Sequence, residues 1–379
     1  MTETKGGGGA DPRVVLVHDY LLVLRGAERT FLAMADCWPR APVATLLYDP
    51  AIAGPLAGHE VRTSALQRFN ADQQSFRRML PLYPVAARRL PVKDGDLVIS
   101  SSSAFAHGVQ PRPDAMHVCY CHSPLRYVWH ERERGREESP AVLRPAMRML
   151  QRRLRAWDRQ SAARVTHYIA NSRLTQQLIH DFWGQESTIV HPPVSVERFL
   201  PESPEDYFLV VGEVVGHKRP ALALEAARRA GQNIKVAGSG PGLAALRAQY
   251  GSHAEFLGRV SDADLNSLLA RARALIVPNV EEFGIVAVEA QAAGRPVVAA
   301  RGGGSLETVI DGETGILFPP GDADALAEIL RHTNFDRFRA PLLTAHARSF
   351  STERFQRRLR EVIQGFMGDD RAADRPEGS

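Results

Sequence analysis

The chain has 379 residues, 44% of them hydrophobic, enough for two domains of ordinary size with separate cores. Its net charge of +4 is too weak to point to nucleic acid but suits an anionic ligand or an anionic surface. Three cysteines (Cys37, Cys119 and Cys121) exclude a disulfide framework and fit a reducing cytosol, and there is no run of about 18 apolar residues that could cross a membrane.

Residues 1–12 lack an apolar signal core and read as a disordered leader. RVVLVHDY (13–20), DLVISSS (96–102), MHVCYCH (116–122) and THYIANS (166–172) read as apolar strands with polar ends. Two basic, partly apolar segments accompany them, FRRMLPLYPVAARRL (76–90) and the helical stretch at 141–165. The second carries Arg144, Arg148, Arg152, Arg153, Arg155 and Arg159 against Asp158, with Met147, Leu150, Leu154 and Trp157 at helical spacing. It reads either as a solvated arginine face or as an attachment to an anionic membrane surface. The proline-rich run at 191–207 marks a linker, placed at 195–206, between a first domain (13–194) and a second (207–350). DYFLVVGE (206–213), NIKVAGSG (233–240), ALIVPNV (274–280) and RPVVAARGGG (295–304) repeat the strand pattern. A helix is expected at 351–366, able to pack on the first domain, followed by a disordered tail at 367–379. Continuous Val/Ile/Leu strands separated by helices predict an α/β architecture of two doubly wound, Rossmann-like domains facing a central cleft.

CYCHSPLRYVWH (119–130) raises the question of a metal site. In a strand Cys119 and Cys121 face one way while Tyr120 and His122 face the other. With no second Cys or His pair at usable spacing this is a poor zinc site, and buried free thiols are the better reading. His122 stands at the carboxyl end of its strand, where a ligand in such a sheet binds. SSSAFAHG (101–108) is either an acceptor-side loop, through Ser102, or a serine helix cap.

The most informative run is 278–315. Glu281 falls in the turn after a strand and Glu289 about two helical turns on. The Phe283 and Gly284 amides open the helix between them, and such amides suit a phosphate. Three Asp-x-Asp strings (94–96, 262–264 and 322–324) read as turns or helix caps, and no metal is expected.

These residues resemble the retaining GT-B glycosyltransferases of family 4. Their E-x-F-G-(I/L)-x-x-x-E pattern stands here as Glu281-Glu282-Phe283-Gly284-Ile285 and then Glu289, and the likeness spans roughly residues 13 to 335. The resemblance implies donor-sugar contacts for Glu281, ribose contacts for Glu289 and one half of a basic pair for the donor diphosphate at Lys218, beside the motif residues Phe283, Gly284 and Ile285; Arg219, next to Lys218, is read as the substitute for the other half. The family commonly has arginine where this chain has Glu213. Its Gly-Gly-x-Glu loop stands here as Arg25-Gly26-Ala27-Glu28, so Gly26 is assigned to the donor side. A sugar- or acceptor-contacting histidine is implied at His122, with Arg126 and Tyr127 nearby.

The His-Ser-Pro wording at 122–124 looks like the branch that builds bacterial polysaccharides. That implies transfer of a hexose, best read as mannose from GDP-mannose, onto a lipid-linked saccharide at the inner face of the cytoplasmic membrane. The nucleotide sugar is a co-substrate, and no cofactor is expected. A UDP-sugar-dependent transferase, a nucleotide-sugar epimerase of the same fold and an inactive membrane-bound homologue are the alternatives. Gly238-Ser239-Gly240-Pro241-Gly242 matches a dinucleotide fingerprint only weakly, because its third glycine is one residue early.

Overall fold

The computed structural model describes residues 12–51, 54–56, 58–69, 75–129 and 144–373. Residues 1–11 of the expected leader and 374–379 of the expected tail lie outside the described residues. The chain divides into two compact units. The first takes the described residues up to Asn171, Thr175–Ile189, and the chain from Leu359; the second takes Ser172–Leu174 and Val190–Arg358.

In the first unit, seven parallel strands run β1 (Val14–His18), β2 (Val43–Thr45), β3 (Val61–Thr63), β4 (Leu97–Ser102), β5 (Met116–Cys121), β6 (His167–Ala170) and β7 (Ser187–Ile189). Their order in the sheet is β3-β2-β1-β4-β5-β6-β7. The order reverses between β1 and β4, the two central Val/Leu/Ile runs, and a doubly wound sheet binds ligands beyond such a point. Among the described residues this stretch of chain holds the helices α1 (Gly26–Ala35), α2 (Tyr83–Arg88), α3 (Arg144–Ala162) and α4 (Arg173–Trp183).

Strand β4 ends in three buried serines, and a buried hydroxyl must find a partner. Each meets histidine: Ser100 meets His117 at 2.8 Å, Ser101 meets His122 at 2.8 Å, and Ser102 meets His107 at 3.1 Å. The loop after β4 is wound around one carboxylate. Asp19 accepts from the backbone amides of Ser103, Ala104, Phe105 and Ala106 at 2.6 to 3.0 Å.

Helix α3 buries Asp158 completely. Its Oδ2 accepts from the indoles of Trp129 at 2.8 Å and Trp183 at 2.6 Å, and His107 Nε2 stands 3.3 Å from Oδ1. Two of the six arginines on this helix are structural. Arg155 donates to the Val128 carbonyl at 2.7 Å and Arg159 to that of Phe182 at 3.0 Å, and both lie about 5 Å from the Trp129 ring. Arg144, Arg148, Arg152 and Arg153 are exposed, beside an exposed Met149.

In the second unit, six parallel strands run β8 (Phe208–Val211), β9 (Ile234–Ala237), β10 (Ala254–Gly258), β11 (Ala274–Val277), β12 (Val297–Ala300) and β13 (Gly315–Phe318), ordered β10-β9-β8-β11-β12-β13. The helices are α5 (Pro220–Ala230), α6 (Leu243–Tyr250), α7 (Asp262–Arg271), α8 (Ile285–Ala292), α9 (Ser305–Thr308), α10 (Ala323–His332) and α11 (Ala340–Ala347). The order reverses between β8 and β11. Helix α8 is rich in alanine, and Ala287, Ala290 and Ala292 are buried in the core of this unit.

Residues 195–206, expected as a linker, lie in the second unit: Val196–Arg198 form one 3-10 turn, and Val196 and Phe199 enter its core. The final helix, α12 (Thr352–Ala373), begins in the second unit and belongs to the first from Leu359 onward. It runs seven residues past the expected helix end at 366. His167 stacks on Phe366 with ring centres 4.2 Å apart and lies 3.3 Å from Asp370, which anchors this extra length. Among the described residues no helix is long and apolar enough to cross a membrane.

Candidate functional site

A pocket in the second unit opens at the carboxyl ends of β8 and β11, where the strand order reverses. Lys218 closes a 3-10 turn (Gly216–Lys218) after β8, and Glu281 follows β11. Lys218 Nζ donates to Glu281 Oε1 at 2.7 Å, and Asn279 Nδ2 approaches the same oxygen at 3.4 Å. Glu213, where the resembled family has arginine, lines the same pocket.

Helix α8 starts from Gly284, whose φ of 87° is a conformation that glycine adopts without strain. The first amides of any helix lack intrahelical acceptors, so this end offers donors and partial positive charge toward an anion. The Phe283 side chain is buried against His191 and Phe350, and Ile285 packs on the same core. Both side chains anchor the loop to the core of this unit. The Gly302–Gly304 turn presses on it from behind: Gly304 N–H donates to the Glu281 carbonyl at 2.9 Å, and a Cβ on Gly304 would stand 2.1 Å from the Phe283 carbonyl oxygen.

Glu289 is buried on α8 and pairs with the Arg198 guanidinium at 2.5 Å. Arg198 also lies 4.6 Å from the Phe199 ring and 3.5 Å from Asp262. The sequence reading missed Arg198, because the prolines around it disguise the turn as a linker. Arg219 is not among the side chains lining the pocket. It has a φ of 50°, the one non-glycine residue with positive φ among the described residues, and its guanidinium lies against Gly321. The strain of that conformation, about 1–3 kcal/mol, sits directly beside Lys218.

In the first unit, His122 follows β5 and is buried. Its Nε2 meets Ser101 Oγ, and its carbonyl accepts from Asn171 Nδ2 at 3.0 Å and Thr175 Oγ1 at 3.2 Å. Burial, then His18 and Arg126, push its pKa down to about 3, so the ring is neutral. Gly26 is the first residue of α1, and the preceding Arg25 amide donates to Glu28 Oε2 at 2.9 Å. Arg126 is exposed, and Tyr127 points its hydroxyl at Met147 Sδ, 3.9 Å away.

Ser102 requires a correction. Alternation along β4 sends its hydroxyl to the opposite face from Ser101, onto His107 and the buried Asp158, away from His122. Ser102, His107 and Asp158 resemble a nucleophilic triad in spacing, but each is no more than 1% exposed, so no substrate reaches them. The loop at 101–108 likewise has the amides of residues 103–106 taken up by Asp19.

Cys119 and Cys121 are buried on the face away from His122, and burial pushes the Cys119 thiol up to about 12. Ser261 caps α7, bonded by the Asp264 amide, and Asp322 caps α10 through the Ala325 amide. Asp94 and Asp96 pair with Arg62 and Arg13. Among the described residues no group of three His, Cys, Asp or Glu side chains is placed to hold a metal ion.

Two doubly wound parallel-sheet units, one with a pocket at its switch point, define the GT-B fold of glycosyltransferases. Residues 24–198 match the model of the Glycosyltransferase Family 4 domain, and residues 196–334 that of Glycosyl transferases group 1. The chain belongs to the family 4 glycosyltransferases. It is 38% identical over 171 residues to a D-inositol 3-phosphate glycosyltransferase of Mycobacterium avium, covering 38% of this chain and 40% of that one. The same-named protein of Mycobacterium tuberculosis (strain F11) is 38% identical over 195 residues, covering 44% and 41%. The chain thus matches about two fifths of the length of these relatives.

Among solved structures, Anabaena HepE in complex with UDP superimposes with a TM-score of 0.68 at 17% identity, covering 93% of this chain and all of that one. Sucrose-phosphate synthase from Thermosynechococcus elongatus reaches 0.71 at 16% identity, covering 94% and 100%. At these identities the likeness shows the fold alone.

Proposed function

We propose that this protein is a retaining glycosyltransferase that takes a hexose from a nucleoside diphosphate sugar and transfers it to a lipid-linked saccharide, with GDP-mannose as the donor. The observation that carries the reading is the Lys218–Glu281 pair in the pocket beside the start of α8, at the switch point of the second unit. In this reading the Lys218 ammonium and the first amides of α8 hold the diphosphate, where negative charge grows as the nucleotide departs. Glu281 then bonds hydroxyls of the donor sugar, and Glu289 the ribose. Gly26, at the start of α1, gives a backbone approach to the phosphates. His122 contacts the sugar or the acceptor. No carboxylate is placed as a nucleophile: attack and departure occur on one face, and the departing diphosphate receives the acceptor proton.

Incubation of the protein with radiolabelled GDP-mannose and lipid-linked saccharides tests the reading, with Glu281→Gln and Lys218→Ala as controls. Transfer that is lost in both variants supports it; no transfer from any nucleotide sugar sinks it. A UDP-sugar donor is the second reading. It is favoured by the likeness to the Anabaena protein, which was also solved with UDP-glucose, and UDP-glucose in the same assay separates the two.

The exposed arginines of α3, with Val85 and Arg88 exposed on α2 and Leu82 and Arg89 exposed at its two ends, support attachment to an anionic membrane on its inner face. Each basic side chain near such a surface contributes about 1 kcal/mol. Sedimentation with phosphatidylglycerol vesicles, abolished by Arg152→Glu with Arg153→Glu, is the expected outcome. Equal binding to neutral vesicles would count against it.

A further inference from the structure

Side chains that the donor pocket leaves unused gather at the switch point of the first unit. Ser101 Oγ lies 3.1 Å from His18 Nδ1 and 2.8 Å from His122 Nε2. Strand register builds this group. His18 on β1 pairs with Ser101 on β4, and Ser101 pairs with Tyr120 on β5, so His122, two residues beyond Tyr120, stays on the same face. The His18 ring is held in place by stacking on Phe31, with centres 4.7 Å apart.

A serine hydroxyl has one hydrogen. Ser101 is fully buried, so water does not supply an acceptor, and its hydrogen goes to one of the two rings. The other ring must then donate to the serine oxygen. The tautomers are thereby tied together: both imidazoles carry their proton on Nδ1, or both carry it on Nε2. Burial lowers the pKa of both rings, leaving them neutral.

The contact lengths select one of these two states. The nitrogen that His18 turns toward Ser101 is Nδ1, and its 3.1 Å separation has the length of a ring N–H donating to oxygen, whereas the shorter 2.8 Å contact to His122 Nε2 has that of a bond donated by a hydroxyl. A proton there donates to Ser101, whose own hydrogen then points at His122 Nε2. We propose that His18 and Ser101 are positioning residues that hold His122 as its neutral Nδ1–H tautomer, so that it offers a sugar hydroxyl a hydrogen-bond donor rather than a base. This deepens the proposed function and rests on His122 contacting the sugar. It also accounts for leaving the acceptor's proton to the departing diphosphate, since a ring held with its proton on Nδ1 has no free lone pair to take it.

The test is nitrogen-15 NMR of the imidazoles in the histidine-labelled full chain, at neutral pH and with no sugar or nucleotide present. The His18→Gln and His122→Gln variants assign the two signals. Both rings are expected as Nδ1–H. Ser101→Ala is expected to return His122 to the Nε2–H form that predominates for a free histidine side chain, and Ser101→Thr, which keeps a hydroxyl, to restore Nδ1–H. An Nε2–H signal for His122 in the native protein, or no change in Ser101→Ala, overturns the proposal. Because no donor or acceptor is added, this result is independent of the transferase reading: the expected tautomers in a protein that transfers nothing would sink that reading alone.

Discussion

Lys218 Nζ and Glu281 Oε1 stand 2.7 Å apart, so the lysine of the second unit's pocket is neutralised by a carboxylate until an anion competes for it. A diphosphate that binds there must first draw Lys218 away from Glu281. Removing the carboxylate's charge therefore separates binding from transfer. Glu281→Gln is expected to tighten GDP binding about fivefold, roughly 1 kcal/mol for a partly exposed pair, while lowering the transfer rate at least about a hundredfold. Calorimetry and initial rates measure the two. Unchanged GDP affinity together with full transfer would rule out this account of the pocket.

Glu289 and Arg198 form a second pair in the same unit, with side chains 10% and 23% exposed. Glu289→Ala is expected to weaken nucleoside diphosphate binding by about ten- to a hundredfold, because a ribose hydroxyl loses a charged acceptor. Arg198→Ala deprives a buried carboxylate of a cation and is expected to lower the melting temperature by about 3 °C. Calorimetry on the first variant and a thermal melt on the second check the pair. Normal binding by Glu289→Ala would exclude it from the site.

Asp158 is the acceptor on which two indoles converge. Asp158→Ala strands both N–H groups in the core and removes the partner of His107, a loss of about 3–5 kcal/mol. A urea midpoint shifted to match, with tryptophan emission moved to the red, is the expected result. A shift below about 1 kcal/mol would mean that the cluster rearranges without it.

Burial pushes the pKa values of His117 and His122 down to about 3, against 6.5 for a free ring. As pH falls below 6.5 the unfolded chain takes up protons that the folded chain refuses, so stability falls as pH drops toward 3. Above 6.5 these rings contribute no slope. Once the unfolded rings are charged, two of them give about 2.7 kcal/mol per pH unit. Urea unfolding between pH 7 and 5 measures this, and His117→Asn should remove about half of it. A flat profile would show that the rings titrate normally.

The Val/Ile/Leu-rich runs that became β1, β4, β8, β11 and β12 were legible because each fills a buried strand. The three-residue strands β2, β3 and β7 were not, since alternation cannot be read over so few positions. Glu281, Glu289 and Lys218 could be found through a motif with fixed spacing. Arg198 could not, because its role depends on a fold-back of a proline-rich segment. Among Ser100, Ser101 and Ser102, composition offers no choice. Only the register of β4 beside β1 and β5 shows that Ser101 is the one that joins His122.

The first unit is assembled from separated stretches of chain, including the described residues from Leu359 onward, whereas the second, apart from Ser172–Leu174, is the continuous stretch Val190–Arg358. Leu359, Val362 and Ile363 are buried parts of the final helix. During synthesis the half that is made first therefore cannot be completed until the half made second has already left the ribosome. The second unit can be completed from its own stretch alone, and the unit that carries His122 is completed only when the last helix arrives.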